Sequence, residues 1–239
     1  MAVAWSTACA TQPRGKPYLR EVGRRDNLSV WLVDGAYVRS NIDIEFTNFG
    51  QHYVFKFIPE NELWLDEEAQ HDEQEFFIEH LVVERALMAR GVSYDSATGV
   101  AERIELAERK IAGDVAKVTR ADGSLDASRA HIALLATTPD SVSEWIVDGR
   151  LVRSAFDIEF TEGGHDRVYD YVPKNEIWID NDLTPAERPF VLLHELHERH
   201  LMGNGWTYES AHADANRVEA YDRHHPSELL ADLAREAQP

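Results

Sequence analysis

Five ionisable residues in the C-terminal half of the chain have the types and spacing of a metal site. The stretch FVLLHELHERHLM contains His194, Glu195, His197 and Glu198, and His212 follows in YESAHADANRVE. On a helix, Glu198 would lie about 40° round the axis from His194, and His197 about 60° away on the other side. Side chains four residues apart can reach one metal ion, which is why helices with the pattern HExxH bind zinc. The stretch therefore predicts a metal centre of imidazoles and carboxylates.

The same stretch has a counterpart in the N-terminal half because the chain contains an internal duplication. Residues 31–109 (copy 1) align with 145–223 (copy 2) at a constant offset of 114 without a gap, and 34 of the 79 positions are identical. Unrelated sequences of ordinary composition would share roughly 6% of positions. We refer to residues 114 positions apart as equivalent.

The two copies differ at the positions that could do chemistry. His80 and Glu84 of copy 1 are equivalent to His194 and Glu198. Four ionisable residues of copy 2 have apolar or hydroxyl equivalents: Glu195 has Leu81, His197 has Val83, His200 has Ala86 and His212 has Thr98. Val83 indicates that its position faces apolar surroundings, and a buried polar group needs a partner such as a metal ion. Any catalytic chemistry is therefore expected in copy 2.

The elements around these residues predict an α+β fold. In WLVDGAYV and WIVDGRLV, apolar runs flank an Asp–Gly pair, the usual signal of a β-hairpin. Further short runs rich in β-branched and aromatic residues follow, among them ELWLD and EIWID. We predict a tandem duplication in which each copy is an antiparallel β meander followed by two helices.

Capping residues set the expected helix bounds. Thr184 with Glu187 forms a capping-box pattern at the start of the first helix of copy 2, and Gly203 follows its end. Thr207 and Ser93 are expected to cap the second helices, over about 208–222 and 94–110. A terminal helix is expected from Ser227 to Glu236. The predicted organisation is an irregular N-terminal arm (1–26), repeat 1 (27–110), a linker (111–140) and repeat 2 (141–239).

Composition narrows the classes of partner. The formal net charge of -19 argues against nucleic acid and against an anionic membrane surface. Cys9 is the only cysteine, so neither a disulfide framework nor a zinc site of several thiolates is expected. No apolar run approaches about 18 residues, and the N-terminus lacks the pattern of a signal peptide. We expect a cytoplasmic protein.

The stretch EIWIDNDLTPAERPFVLLHELHE resembles the core of zincin-type zinc metallopeptidases, in which a strand, a capped loop and a helix with His-Glu follow one another. The resemblance covers only the second repeat. It implies that His194 is a zinc ligand, that Glu195 is the general base, and that a following helix supplies a third ligand, for which His212 is suitably placed. Glu219 would orient that ligand or substitute for it.

The resemblance departs from the family at one position. The family has a second His where this chain has Glu198, and His197 lies one place earlier. Since carboxylates also bind zinc, the ligand set is either His194, Glu198 and His212, or one in which His197 is the ligand and Glu198 supports it.

These residues predict a zinc-dependent hydrolase, most simply a metallopeptidase acting on a peptide or protein, with one zinc per chain in repeat 2 and a degenerate repeat 1. The alternative is a non-catalytic binding or regulatory protein with a structural metal site or a polar histidine cluster. The occurrence of the His–Glu pair in both copies favours that alternative. His200 is expected on the surface, because its equivalent is Ala86, and His224 and His225 at a polar helix end.

Overall fold

The computed structural model describes residues 15–238, which form two compact units. The first unit ends at Ala112 and the second begins at Gly113. Each contains a four-stranded sheet followed by helices, which confirms the duplicated α+β fold. Cys9 and most of the expected N-terminal arm lie outside the described residues. Within those residues, no helix is both long and apolar enough to cross a membrane.

Unit 1 contains four strands and three helices in its described part. They are β1 (Tyr18–Arg25), β2 (Leu28–Val33), α1 (Gly35–Asn41), β3 (Phe49–Gln51), β4 (Glu62–Asp66), α2 (Gln74–Met88) and α3 (Tyr94–Ala112). The strand order is β1-β2-β4-β3. The central pair β2–β4 is parallel, with Trp31 beside Trp64, and the two outer pairs are antiparallel.

Unit 2 repeats this order with short additions at both ends. Its elements are α4 (Val115–Val118), a 3₁₀ turn (Ala127–Ala130), β5 (His131–Thr137), β6 (Ser143–Val147), α5 (Gly149–Ala155), β7 (Gly163–His165), β8 (Glu176–Asp180), α6 (Arg188–Gly203), α7 (Tyr208–His224) and α8 (Leu229–Glu236). The strand order β5-β6-β8-β7 and the directions of pairing match unit 1.

The prediction of hairpins at the two Asp–Gly pairs was wrong. Asp34 instead caps α1 by accepting a hydrogen bond from the Tyr37 amide at 2.8 Å, and Asp148 caps α5 in the same way. The chain then crosses to a parallel strand, so each sheet is mixed and not a simple meander. Glycine is required after the cap because a Cβ on Gly35 would lie 1.7 Å from the Asp66 carboxylate.

Two strands form where the sequence predicted irregular structure. β1 occupies residues of the expected N-terminal arm, and β5 occupies residues of the expected linker. Both are edge strands, and almost none of their side chains is buried. They therefore lack the alternation of apolar and polar residues by which a half-buried strand is recognised.

The first long helix of unit 2 starts one turn later than its capping pattern predicted. Glu187 occupies the N-cap position of α6 without a side-chain capping bond. Its carboxylate is instead buried and accepts a hydrogen bond from Arg223 of α7 at 2.8 Å. The predicted cap of α7 is confirmed, because the Thr207 side chain accepts a hydrogen bond from the Ser210 amide.

The core of unit 2 has one apolar cluster on each face of its sheet. Successive side chains of a strand point to opposite faces. Ile177 and Ile179 of β8 accordingly pack with Val191 and Leu196 of α6, whereas Trp178 packs with Phe160 on the other face. α6 thus lies against the sheet next to β7 and β8, and α7 packs on α6.

Candidate metal centre

Three side chains from α6 and α7 converge in unit 2. The His194 Nε2 atom lies 3.2 Å from His212 Nδ1 and 3.6 Å from Glu198 Oε2, and His212 Nδ1 lies 2.8 Å from the same oxygen. Bonds of about 2.0–2.1 Å to a tetrahedral zinc ion would place the ligand atoms about 3.3 Å apart. The three atoms therefore match the spacing of three ligands on one face of a tetrahedron, with small adjustments.

The orientation of His194 suits a metal ligand. Its Nδ1 atom lies 3.0 Å from a carboxylate oxygen of Glu219, which leaves Nε2 directed towards Glu198 and His212. Burial alone would lower the pKa of His194, but the neighbouring carboxylates of Glu198 and Glu219 raise it well above the usual value. Glu219 thus orients His194, whereas the sequence placed it beside His212.

A buried chain of charged side chains supports this orientation. Arg223 donates to the second oxygen of Glu219 at 2.8 Å and to Glu187 at 2.8 Å. The Arg223 guanidinium also lies over the ring of Phe190, 4.8 Å from its centroid. Because every member is buried and paired, the chain fixes His194 relative to both α6 and α7.

Glu195 of α6 lies beside this centre, where α6 packs against β7. Its side chain is buried, and a Cβ on Gly163 would lie 3.2 Å from one of its carboxylate oxygens. Burial raises the pKa of the Glu195 carboxyl to about 7, against the opposing influence of the neighbouring histidines. The carboxyl group can therefore both take up and release a proton near neutral pH, as a general base requires.

His165 on β7 belongs to the centre and was missed by the sequence analysis. Its side chain is fully buried, and its Nε2 atom lies 3.0 Å from Glu198 Oε1. Ligand atoms of His165, Glu195 and Glu198 also lie close enough together for a metal ion. The comparison of the two copies contained a signal for this residue, since its equivalent is Gln51.

Glu198 is the residue that the histidines share. Burial alone would raise the pKa of its carboxyl, but the contacts with His165, His194 and His212 lower it far below the usual value. Its Oε1 atom faces His165, and its Oε2 atom faces the other two. Glu198 is consequently an ionised group at the middle of the cluster.

The structure does not bring His197 to the centre. Its Nε2 atom lies 2.9 Å from Asp214 of α7, and its Nδ1 atom lies 3.1 Å from Glu236 of α8. Since both ring nitrogens face carboxylates of other helices, His197 ties α6 to α7 and α8. In this arrangement His197 does not share a ligand set with His194 and His212, and the set with Glu198 is the one that the geometry favours. His200, His224 and His225 are exposed.

Unit 1 contains the same framework without the third ligand. His80 lies 2.8 Å from Glu105, which pairs with Arg109, and Arg109 pairs with Glu73. At the position of His212, the Thr98 hydroxyl donates to Glu84. The equivalent site in unit 1 is therefore a closed network of hydrogen bonds.

An aromatic ring also fills unit 1 where unit 2 has space for Glu195. Phe49 is equivalent to Gly163, and its ring centroid lies 4.8 Å from that of Phe77 and 5.2 Å from that of His80. A Cβ on Gly163 would lie 2.9 Å from Val191, and a full ring there would displace the Glu195 carboxyl. Glycine at this position is thus a condition for the buried carboxyl of unit 2.

Tyrosines border the centre of unit 2 and show where it opens. The Tyr208 ring stacks on His212 with 5.3 Å between centroids, and both side chains are partly exposed. Burial, together with the charge of Glu195, raises the pKa of Tyr169, whose equivalent is Phe55. Solvent therefore reaches the ligands past His212 and Tyr208.

No family model matches the chain, and no curated protein or solved structure shows significant similarity to it.

Proposed function

We propose that the chain is a zinc-dependent hydrolase acting on peptide bonds, with one zinc per chain in unit 2. The observation that carries this proposal is the convergence of His194 Nε2, Glu198 Oε2 and His212 Nδ1 at 2.8–3.6 Å from one another. Two histidines and one glutamate are a ligand set of catalytic zinc sites.

The donor set leaves room for reacting groups. Structural zinc sites are closed by four protein ligands, whereas catalytic sites have three and keep one position for water or substrate. His194, Glu198 and His212 supply three donors within 3.6 Å of one another, and the most exposed of the three, His212, has a side chain 32% exposed. The centre therefore has the ligand count of a catalytic site and a route to solvent.

When bound, zinc would polarise a substrate carbonyl and lower the pKa of a water molecule towards about 7. Glu195 would accept a proton from the attacking water and return it to the departing amine. Its location next to His194 in the chain and beside Gly163 in space suits this role. Glu219 would hold His194 with Nε2 directed inward.

The non-catalytic alternative is supported by unit 1. There, His80, Glu84, Glu105 and Arg109 form the same buried chain with Thr98 in the place of a third ligand. Such a network is stable as a polar core, and unit 2 would then be a variant of it. Coordination number separates the two functions, because a structural zinc site would recruit a fourth protein ligand.

The test combines zinc content with hydrolysis of a peptide library. We expect wild-type protein to contain about one zinc per chain and Glu195→Gln to retain it. Glu195→Gln should lose hydrolysis by roughly 10²–10⁴-fold, because a general base is removed and no ligand is. His194→Ala should lose both zinc and activity, and the matched variant His80→Ala should keep both. A wild-type protein that binds no zinc, or binds it with four protein ligands and cleaves nothing, would refute the proposal.

A further inference from the structure

We infer that His165 is a positioning residue that holds Oε1 of Glu198 and thereby directs Oε2 towards His194 and His212. This inference rests on the proposed zinc site but assigns a role that the ligand set does not include. His165 is neither a ligand nor a catalytic residue in this arrangement.

The tautomer of His165 is the first argument. Its Nδ1 atom accepts a hydrogen bond from the Arg167 amide at 3.2 Å. A neutral imidazole that accepts at one nitrogen carries its proton on the other. Nε2 is therefore a donor, and Glu198 Oε1 lies 3.0 Å from it, although the N–H is not well aligned with that oxygen.

Unit 1 provides independent support at the equivalent position. The side-chain oxygen of Gln51 accepts from the Tyr53 amide at 2.7 Å, and its nitrogen donates to Glu84 Oε1 at 2.8 Å. An amide nitrogen can only donate, so the chemistry of this contact is unambiguous. In each unit, one side chain of the edge strand thus makes two contacts. It accepts a hydrogen bond from the backbone amide two residues later, and it lies against Oε1 of Glu84 or Glu198.

The consequence for a metal concerns the geometry of Glu198. A carboxylate that is free to rotate can present either oxygen or both. With Oε1 held by β7, only Oε2 faces His194 and His212, at 3.6 and 2.8 Å. Groups that orient a ligand in this way typically change metal affinity by roughly 10–100-fold.

The competing interpretation is a second metal ion held by His165, Glu195 and Glu198, whose ligand atoms are close enough together. A ligating nitrogen must offer its lone pair to the metal. Since Nδ1 accepts from the Arg167 amide, the proton of a neutral His165 lies on Nε2, which then has no lone pair to offer. The two interpretations predict different zinc stoichiometries.

The first test measures zinc affinity by chelator competition in full-length protein. We expect His165→Gln, which introduces the side chain of unit 1, to stay within a few fold of wild type. His165→Leu should weaken affinity by roughly 10–100-fold. The matched variant Gln51→Leu should leave affinity unchanged. Loss of affinity in His165→Gln as large as in His165→Leu, or a wild type with two zinc ions of which His165 variants lose one, would overturn the inference.

The second test needs no zinc, and so separates failure of this inference from failure of the proposed function. Long-range ¹H–¹⁵N spectra of metal-free protein should show His165 with a bare Nδ1 and a protonated Nε2. If the wild type binds no zinc, the proposed function fails while this measurement still decides the tautomer. A proton on Nδ1, with Nε2 bare or protonated, would refute the assignment.

Discussion

His212 of α7 lies 2.8 Å from Glu198 of α6. At the equivalent position in unit 1, the Thr98 hydroxyl donates a hydrogen bond to Glu84. Unit 1 therefore has two potential metal ligands, His80 and Glu84, and unit 2 has a third because histidine replaces threonine at position 212. The buried chain of carboxylates and arginine that holds the histidine is the same in both units, whereas the edge strand contributes Gln51 in unit 1 and His165 in unit 2. Zinc content should follow this exchange.

We predict that His212→Thr loses zinc while the protein stays folded, because Thr98 already fills the equivalent position in unit 1. The reverse variant, Thr98→His, should raise the stoichiometry above about one zinc per chain, with the second ion bound more weakly. Elemental analysis after dialysis against zinc checks both variants, and circular dichroism checks the fold. Retention of full zinc by His212→Thr would show that His212 is not a ligand.

Gly163 should be essential for activity. Gly163→Phe, which copies Phe49, is expected to push the Glu195 carboxyl out of place and to reduce hydrolysis by roughly 10²-fold or more. Gly163→Ala makes a milder version of the same change if the larger variant fails to fold. Phe49→Ala is the control, which should lower the free energy of unfolding by up to about 3 kcal/mol without changing hydrolysis. Full activity in a folded Gly163→Phe would contradict the role of this glycine.

Arg223 should matter for stability and zinc affinity together. Arg223→Met leaves Glu187 and Glu219 buried without their partner and should lower the free energy of unfolding by about 3–5 kcal/mol. Zinc affinity should fall as well, because Glu219 orients His194. Arg109→Met in unit 1 is expected to destabilise by a similar amount and leave zinc affinity unchanged. Equal zinc affinities in the two variants would show that the charged chain of unit 2 does not contribute to zinc binding.

The stability contributed by His80 should depend on pH. Burial alone would lower the pKa of His80, but the hydrogen bond with Glu105 and the nearby carboxylate of Glu84 raise it to about 9. A raised pKa in the folded state stabilises the protein fully below the unfolded value of about 6.5 and loses this effect as pH rises through about 9. The contribution amounts to about 3 kcal/mol at about 1.4 kcal/mol for each pKa unit.

Urea unfolding of wild type and His80→Leu between pH 6 and 10 measures this dependence. The difference in free energy of unfolding between the two proteins should shrink across that range, and the His80 ring resonances should titrate near pH 9. A His80 that titrates at or below its ordinary value of about 6.5 would contradict the prediction.

Much of the framework of the site could be read from the sequence. Identity at 34 of 79 positions predicts two similar units. Spacing on a helix places His194 beside Glu198, and the cap at Thr207 sets the start of the helix that carries His212. These features depend on local periodicity and on residues close together in the chain, which a single sequence records directly.

Other parts depend on contacts distant in sequence. His165 lies on a strand of three residues, too short for a periodic pattern, and reaches Glu198 only after β7 pairs with β8. The Asp–Gly pairs satisfy the rules for a hairpin and for a helix cap equally well. The approach of the buried Asp66 carboxylate, which requires glycine at position 35, exists only in the folded unit.

The charged chain from Glu73 through Arg109 and Glu105 to His80 has an evolutionary consequence. Removing any one member would leave its neighbours buried without a charged partner. Breaking such a buried pair lowers the free energy of unfolding by about 3–5 kcal/mol. Selection for folding alone would then preserve every member, even in a copy with no reaction to perform. The chain can disappear only through several simultaneous replacements. His80 can therefore outlast a function by long periods, as a record of the ancestor from which both halves descend.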